Sequence, residues 1–323
     1  MKRELKQSVR VFPVGNDLEF RIGDVAFTLE YDSRMEKRSS DLAKGYISDD
    51  DDFVLWLEER DLLVAPRRES HLPGAFLERH DRTLRFLASY ESSTRSALDM
   101  LEALHGSRVL VAGLGGVGSW ITYSLLMSGV GTIIGADGDV VDASNLNRSA
   151  VYDPQDVGLS KALALGSHLA ALFPDQSFVP QQTWITSAAD VAALAEGADF
   201  VVSAADTPHQ IIRMWVREGA RAHNVPVIET MGGAIGPIRG PGGVDYNLGV
   251  SVTAAGQVQT QPRNLNAIAR GPGVPPFHPM TDAAGVCQAI FEALSGARES
   301  PLSAGYVRKG ATVNLGAFHE MTA

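Results

Sequence analysis

Three glycines at G-x-G-x-x-G spacing, Gly113, Gly115 and Gly118, stand directly behind the apolar run Arg108–Ala112. This spacing makes a tight turn that lets a phosphate approach main-chain N–H groups with no Cβ in the way. The apolar stretch behind it, running to about Met127, reads as a helix. Its first N–H groups are unpaired and carry partial positive charge, which suits an anion. Gly113, Gly115, Gly116 and Gly118 are therefore candidate phosphate-binding positions. Asp137 and Asp139 follow a second apolar run, Thr132–Ala136, and an acid in that place accepts hydrogen bonds from ribose hydroxyls. Asn145, Arg148 and Lys161 come next. A hydride-transferring dehydrogenase has no use for such a set at the phosphate end. A reaction that breaks the α–β bond of ATP builds charge on both sides of that bond, and these side chains balance it.

The elements that position these residues follow from the hydrophobic pattern. Residues 108–112 and 132–136 are apolar enough for strands buried on both faces of a parallel sheet. Beyond Lys161 the pattern predicts a helix over 162–173, a strand near 178–184 and a helix over 188–196. A buried strand over 199–205 then ends in Asp206, and another strand covers 226–233. Open α/β sheets bind ligands outside the carboxyl ends of their strands. Asp206 stands at such an end, where it serves either a ligand or the N-cap of the helix opening at Pro208. Trp215 and Arg217 fall in that helix as packing and surface residues. Residues 256–279 have no clear period and several prolines, and 283–294 read as an apolar helix holding Cys287.

At 323 residues the chain is long enough for one large α/β domain and a small appendage. It is 45% hydrophobic and 20% charged, the balance of a soluble globular protein. A net charge of −10 argues against a nucleic-acid partner, which needs a basic surface. No apolar run reaches membrane-spanning length, and the charged start lacks the apolar segment of a signal peptide. A cytoplasmic location is the expectation. The single cysteine excludes an intrachain disulfide and a cysteine-built zinc site. Nothing near Cys287 lowers its pKa, and free cysteines are commonly buried, so it reads as packing rather than as a nucleophile.

The stretch RVLVAGLGGVGS, DGDVVDASNLNRS and DVGLSK resembles the ThiF/MoeB/HesA superfamily, the ubiquitin-activating-enzyme-like adenylyltransferases. Ser149 stands where that family usually has Gln. The resemblance implies ATP and Mg²⁺ as cofactors and adenylation of a carboxylate. It assigns Asp206 to Mg²⁺ against the α-phosphate, and Asp137 and Asp139 to the ribose. Asn145, Arg148 and Lys161 would balance transition-state charge. Arg82 and Arg85 match the R-x-x-R that precedes the nucleotide domain in this family, where an arginine reaches the ATP of a partner subunit. That implies a homodimer, although two arginines on a helix are also ordinary surface residues. The family's C-x-x-C zinc half is replaced by Tyr246 and Gly249, so no zinc site is expected.

The expected fold is a doubly wound, mostly parallel, Rossmann-like sheet over 107–323, with a crossover loop near 256–280 over the substrate channel. Residues 71–106 form a linker and helices. Ahead of them, 1–70 read as a strand over 9–14, a hairpin Leu18–Leu29 about Gly23-Asp24, and a helix near Phe53, Trp56 and Leu57. Asp49–Asp52 read as a solvated helix cap. In this superfamily such a module resembles the winged-helix-like clamp of enzymes that modify ribosomally made peptides. There a precursor's leader adds as a strand beside the hairpin, here beside Val25–Leu29 with Phe53, Trp56 and Leu57 as the wall. A packing or dimerisation appendage is the other reading. The expected activity is ATP-dependent activation of a peptide carboxylate for peptide maturation. Activation of a ubiquitin-like sulfur carrier and a non-catalytic leader-binding scaffold are the alternatives. His278, in PPFHP, reads as an incidental loop histidine or a catalytic one.

Overall fold

A computed structural model of the chain describes residues 5–6, 9–22, 25–47, 50–64, 69–92, 94–208, 211–231, 234–235, 251–252, 258–259 and 277–297. It divides into two compact units, with the boundary between Ala103 and Leu104. The first unit carries a three-stranded antiparallel sheet in the order β1 (Arg10–Val14), β2 (Asp17–Ile22) and β3 (Val25–Leu29). Helices α1 (Met35–Ala43), α2 (Asp51–Glu59), α3 (Gly74–Arg79) and α4 (Asp81–Leu87) follow. Alternation along β2 sends Leu18 and Phe20 inward, where they meet Phe53, Val54 and Leu57 of α2 in one buried cluster. Phe53 and Leu57 are 1% and 0% exposed. They form core, so they do not wall a groove beside β3. Trp56 alone of the expected three stays partly exposed, between the Phe20 ring and the Arg60 guanidinium.

The acidic stretch caps α2 as expected, with Asp51 and Asp52 exposed and Asp50 drawn out of solvent. Asp50 caps α2 by accepting the Phe53 N–H, and its carboxylate also pairs with Arg34 and with the buried Arg38. Asp52 pairs with Arg34. Asp49 lies outside the described residues. An acid at an N-cap attracts cations as readily as backbone N–H groups, which is why the cap doubles as an ion-pair cluster.

The second unit is built on a six-stranded sheet in the order β6 (Ser177–Gln181), β5 (Thr132–Ala136), β4 (Arg108–Ala112), β7 (Phe200–Ser203), β8 (Val227–Met231) and β9 (Ala234–Ile235). The first five strands run parallel and β9 returns antiparallel. Helices α6 (Gly116–Met127), α7 (Lys161–Leu172), α8 (Ala188–Leu194) and α9 (Ile211–Ala222) connect them, after α5 (Ala97–Gly106), within which the unit boundary falls. The fold is thus a doubly wound Rossmann-like sheet behind a small antiparallel three-strand and helix domain. A short antiparallel pair, β10 (Ser251–Val252) and β11 (Val258–Gln259), and a long helix α10 (Phe277–Ser295) complete the described elements.

Strands β4 and β5 begin and end where the apolar runs do, because both are buried on two faces. Chain order reverses at β4: β5 and β6 lie on one side, β7 and β8 on the other. That switch point opens a crevice at the carboxyl ends of β4 and β7. The strand expected near 178–184 ends at Gln181, so Trp184 lies past it. Arg217 is not a surface residue. It makes a buried two-point pair with Glu229, tying α9 to β8, while Trp215 packs on the core as expected. Helix α10 begins at Phe277, six residues before the expected start, so His278 and the last residues of the expected crossover loop are helical. Proline is tolerated in a first helical turn, where its missing N–H has no partner to lose, and Pro279 sits there.

Candidate active site

The glycine turn is held by contacts that tolerate no side chain at two positions. Gly113 has φ +94°, and a Cβ on it would lie 2.6 Å from Ala205 N and 2.7 Å from Ala205 Cα. The main chain leaving β4 therefore rests directly on the main chain leaving β7. A Cβ on Gly118 would fall 1.8 Å from the Gly113 carbonyl oxygen. Gly115 is different: a Cβ there meets nothing within 4 Å. Two of the motif's glycines thus permit close packing, and the third faces open space at the first turn of α6. Gly116 lies between them in character, with Pro279 and the Arg148 side chain 3.3 and 3.4 Å from where its Cβ would be. The start of α10 therefore sits beside the turn. Helices α6 and α10 run side by side in the same direction, with Cys287 Sγ reaching the Ile121 carbonyl at 3.6 Å.

Asp137 at the end of β5 anchors the turn. Its Oδ2 accepts the Leu114 N–H at 2.8 Å, and its Oδ1 accepts the Asp139 N–H at 2.9 Å. Asp139 holds Lys161: the ammonium donates to Oδ2 at 2.8 Å, while Oδ1 accepts the Val140 N–H. The hydrogen bond from Lys161, aided by that from Val140, lowers the Asp139 pKa. Lys161 is also the first residue of α7, behind the Ser160 cap, and its N–H donates to the Asp139 carbonyl. Position and charge partner are fixed together.

Asn145 and Arg148 come from a short 3₁₀ turn, Ala143–Asn145, closed by a capping box. Asp142 accepts the Ser144 N–H at 2.7 Å, and its own N–H donates to Asn145 Oδ1 at 3.0 Å. Asn145 is buried as a result. The Arg148 guanidinium donates to the Ser144 carbonyl and to Asn147 Oδ1, and Trp120 Nε1 donates to the Arg148 carbonyl. Ser149, at the position where Gln was expected, has a buried hydroxyl with no partner among the described residues.

Asp206 follows Ala205, at the mouth of the crevice. It is exposed, and Oδ1 accepts the Thr207 hydroxyl at 3.1 Å. Helix α9 is described from Ile211, the Ile212 N–H donating to the Pro208 carbonyl, and among the described residues Asp206 accepts none of its N–H groups. The carboxylate is available to a hard cation, which prefers oxygen donors. The structure thus brings Gly113 to Gly118, Asp137, Asp139, Asn145, Arg148, Lys161 and Asp206 to one region of the second unit. Arg82 and Arg85 lie in the first unit, exposed on α4, where Arg85 pairs with Asp81 at 3.0 Å. Tyr246 and Gly249 lie outside the described residues.

Sequence reasoning passed over Tyr152. Its hydroxyl lies 2.9 Å from the Leu114 carbonyl and 3.2 Å from the Lys161 carbonyl, joining the glycine turn to α7. Burial, followed by the nearby charges of Asp137 and Asp156, pushes its pKa up, so it stays a protonated donor. Cys287 is buried, and burial pushes its thiol up to about 12. That environment suits packing and not a nucleophile.

Residues 90–242 match the model of the ThiF family. A SAMP-activating enzyme E1 of Haloferax volcanii is 38% identical over 103 residues, which are 32% of this chain and 38% of that enzyme. The chain spans between 30% and 52% of the length of the first curated relatives it matches. Among solved structures, that of PaaA has a TM-score of 0.70 at 23% identity, covering 93% of this chain and 94% of that one. E. coli MccB, crystallised with MccA-N7isoASN, has a TM-score of 0.64 at 21% identity, covering 94% and 92%. These two likenesses take in the N-terminal unit as well as the sheet, and they establish the shared fold. The glycine turn, the paired acids and the SNLNR and DVGLSK segments all lie within residues 90–242, the stretch that matches the ThiF family.

Proposed function

We propose that this chain uses Mg·ATP to adenylate a carboxylate of a ribosomally made peptide, giving an acyl-adenylate and pyrophosphate, for maturation of that peptide. One observation carries the chemistry. The open space beside Gly115, at the N-terminus of a twelve-residue helix, stands in the same region as Lys161, Arg148, Asn145 and Asp206. Main-chain N–H groups of α6 bind the phosphates. Asp137 and Asp139 take the ribose hydroxyls. Lys161 moves from Asp139 toward the phosphates, and with Arg148 and the Asn145 amide it balances charge as the α–β bond breaks. Asp206 holds Mg²⁺, which supplies further neutralisation of the phosphate oxygens. Arg85, with Arg82 beside it, reaches the nucleotide of a second subunit. With Cys287 sealed in packing, the activated acyl group passes directly to a nucleophile and not through a thioester.

The N-terminal unit supports a peptide as the substrate. Among the described residues strand β3 pairs only with β2, which leaves an edge able to accept an added strand. Val25 on that edge is exposed. The likeness to MccB, a microcin C7 biosynthetic enzyme crystallised in complex with N-formylated MccA, favours the same arrangement. A second reading, activation of a small protein's C-terminus as in sulfur-carrier enzymes, is favoured by the identity with the SAMP-activating enzyme.

The test is substrate-dependent ATP–pyrophosphate exchange. The full chain is incubated with short peptides encoded beside its gene, and separately with a diglycine-ended carrier protein. Exchange stimulated by a peptide is the expected result. Stimulation by the carrier alone replaces the first reading with the second, and stimulation by neither leaves a leader-binding scaffold.

A further inference from the structure

Trp184 takes no part in the readings above, yet its setting is unusual. It lies just beyond the carboxyl end of β6, whose end is joined to that of β5 by a hydrogen bond from the Asp137 N–H to the Gln181 carbonyl at 3.1 Å. It is 55% exposed, among the most exposed of the large apolar residues. Half-exposed tryptophan leaves a large apolar surface in water. Its position is nonetheless fixed. A Cβ on Gly138 would lie 2.5 Å from the indole Cγ, 2.6 Å from Cδ1 and 2.6 Å from Cδ2. Near-equal distances to three atoms of the five-membered ring mean that the ring lies flat across Gly138. One indole face is thus laid on main chain between Asp137 and Asp139, and only a glycine at 138 permits it.

The segment carrying Trp184 is pinned on both sides. The Thr183 N–H donates to the Gln181 carbonyl at 3.0 Å, closing a turn before it. Ile185 after it is buried in the core cluster of β4, β5, α8 and α9. Thr186 and Ser187 are then bound to Asp190 as α8 is capped. A ring packed flat on main chain, with much of its surface open, is a stacking platform whose ordering is largely paid for by folding. The two acids flanking Gly138 are the residues to which the ribose is assigned, so the base on that ribose emerges next to the indole.

We propose that Trp184 is the nucleobase platform of this site and a specificity-determining residue. The base stacks on the open surface of the indole while its ribose engages the acids on either side of Gly138. Purines overlap a nine-atom indole more fully than pyrimidines do, so the platform selects ATP and GTP over CTP and UTP. Stacking reads a π-face, not a hydrogen-bonding edge, so the platform alone does not separate ATP from GTP. This rests on the nucleotide-binding reading given above.

The experiment uses the full chain, with calorimetry for Mg·ATP, Mg·GTP, Mg·CTP and magnesium tripolyphosphate, which has phosphates and no base. Wild-type protein is expected to bind both purine nucleotides more tightly than CTP. Trp184→Leu is expected to lose about 5- to 100-fold in ATP and GTP affinity, the range that base–aromatic stacking spans, while tripolyphosphate affinity stays the same. Trp184→Phe is expected to keep most of the wild-type affinity, because a phenyl ring still stacks. A Trp184→Leu protein that binds ATP as the wild type does would overturn the proposal. So would one that loses ATP and tripolyphosphate equally, because that is the signature of a general structural defect. A wild-type protein that binds tripolyphosphate and ATP equally well refutes the platform but leaves the phosphate site standing. One that binds neither removes the site, and the platform with it.

Discussion

Replacing Gly115 with alanine separates phosphate binding from folding more cleanly than any other change in the glycine turn. At Gly115 the backbone is extended, with φ −70° and ψ −151°, and an added Cβ meets nothing within 4 Å. Alanine lowers the entropy of the unfolded chain, worth about 0.4–1 kcal/mol in favour of folding. Gly115 is also the N-cap of α6, where alanine is disfavoured relative to glycine by an amount of about the same size. The two effects offset, and the melting temperature should move by no more than about 2–4 °C. ATP should feel the change strongly, because the new methyl occupies the space assigned to the phosphates. Isothermal titration with Mg·ATP should show affinity reduced by at least about tenfold, or about 1.4 kcal/mol. Gly113→Ala is the contrasting control. Its φ of +94° costs an L-residue roughly 1–3 kcal/mol, and the main chain at Ala204 and Ala205 has to retreat by up to about 0.8 Å to reach ordinary contact. That variant should lose both stability and exchange activity, since misplacement of about 1 Å can cost about a hundredfold in rate. A Gly115→Ala protein that binds ATP with wild-type affinity would refute the phosphate position.

Asp206→Ala should abolish ATP–pyrophosphate exchange with little change in thermal melting, because among the described residues the carboxylate holds only the Thr207 hydroxyl; wild-type exchange in the folded variant would remove it from the metal site. Asp139→Asn should remove a pH-dependent contribution to stability. The folded-state pKa of Asp139 is lowered, so its stabilisation is complete above the unfolded value near 3.9 and fades as pH falls through the lower folded value. Denaturant melts of wild type and variant should therefore converge at acid pH, and a constant difference down to about pH 2 would contradict this assignment. Cys287, its thiol pushed up to about 12, should resist iodoacetamide at pH 8 in the folded protein and react once denatured. Prolines placed in turn at Ala26 and Phe27 remove successive N–H groups, which alternate between the β2 ladder and the open edge. The one that removes an edge donor should weaken binding of a labelled precursor peptide in fluorescence anisotropy while ATP affinity holds, and equal peptide affinity in both variants and wild type would discard the β3 edge.

Much of the second unit was legible because its information is local. Strands Arg108–Ala112 and Thr132–Ala136 are uninterrupted apolar runs bounded by glycine or acid, and the structure keeps those bounds. The glycine spacing announced the turn for the same reason. Contacts between distant residues were not legible. Nothing in the chain near Gly138 announces Trp184, and nothing near Leu114 announces Tyr152, because only the folded sheet brings strand ends together. The amphipathic face of Phe53 and Leu57 was readable, but which partner it covers was not, and the sheet took it. Arg217 resembled a surface residue until Glu229 arrived from the next strand. The start of α10 was missed because a proline-rich run reads as loop, although a first helical turn accepts Pro279.

The pairing of Lys161 with Asp139 bears on how the site behaves toward salt and stray anions. At rest its ammonium is neutralised by a carboxylate 2.8 Å away, so the empty cleft presents less positive potential than its cations suggest. Inorganic phosphate or sulfate, arriving without a ribose to engage the acid, must compete with that carboxylate for the lysine. A nucleotide supplies both halves of the exchange at once, hydroxyls for the aspartate and phosphates for the lysine. Its binding then trades one ion pair for another and releases few bulk counterions, which makes the affinity only weakly dependent on ionic strength. The cleft is in this sense quiet toward the abundant simple anions and responsive to the ligand that carries a sugar and a phosphate chain together.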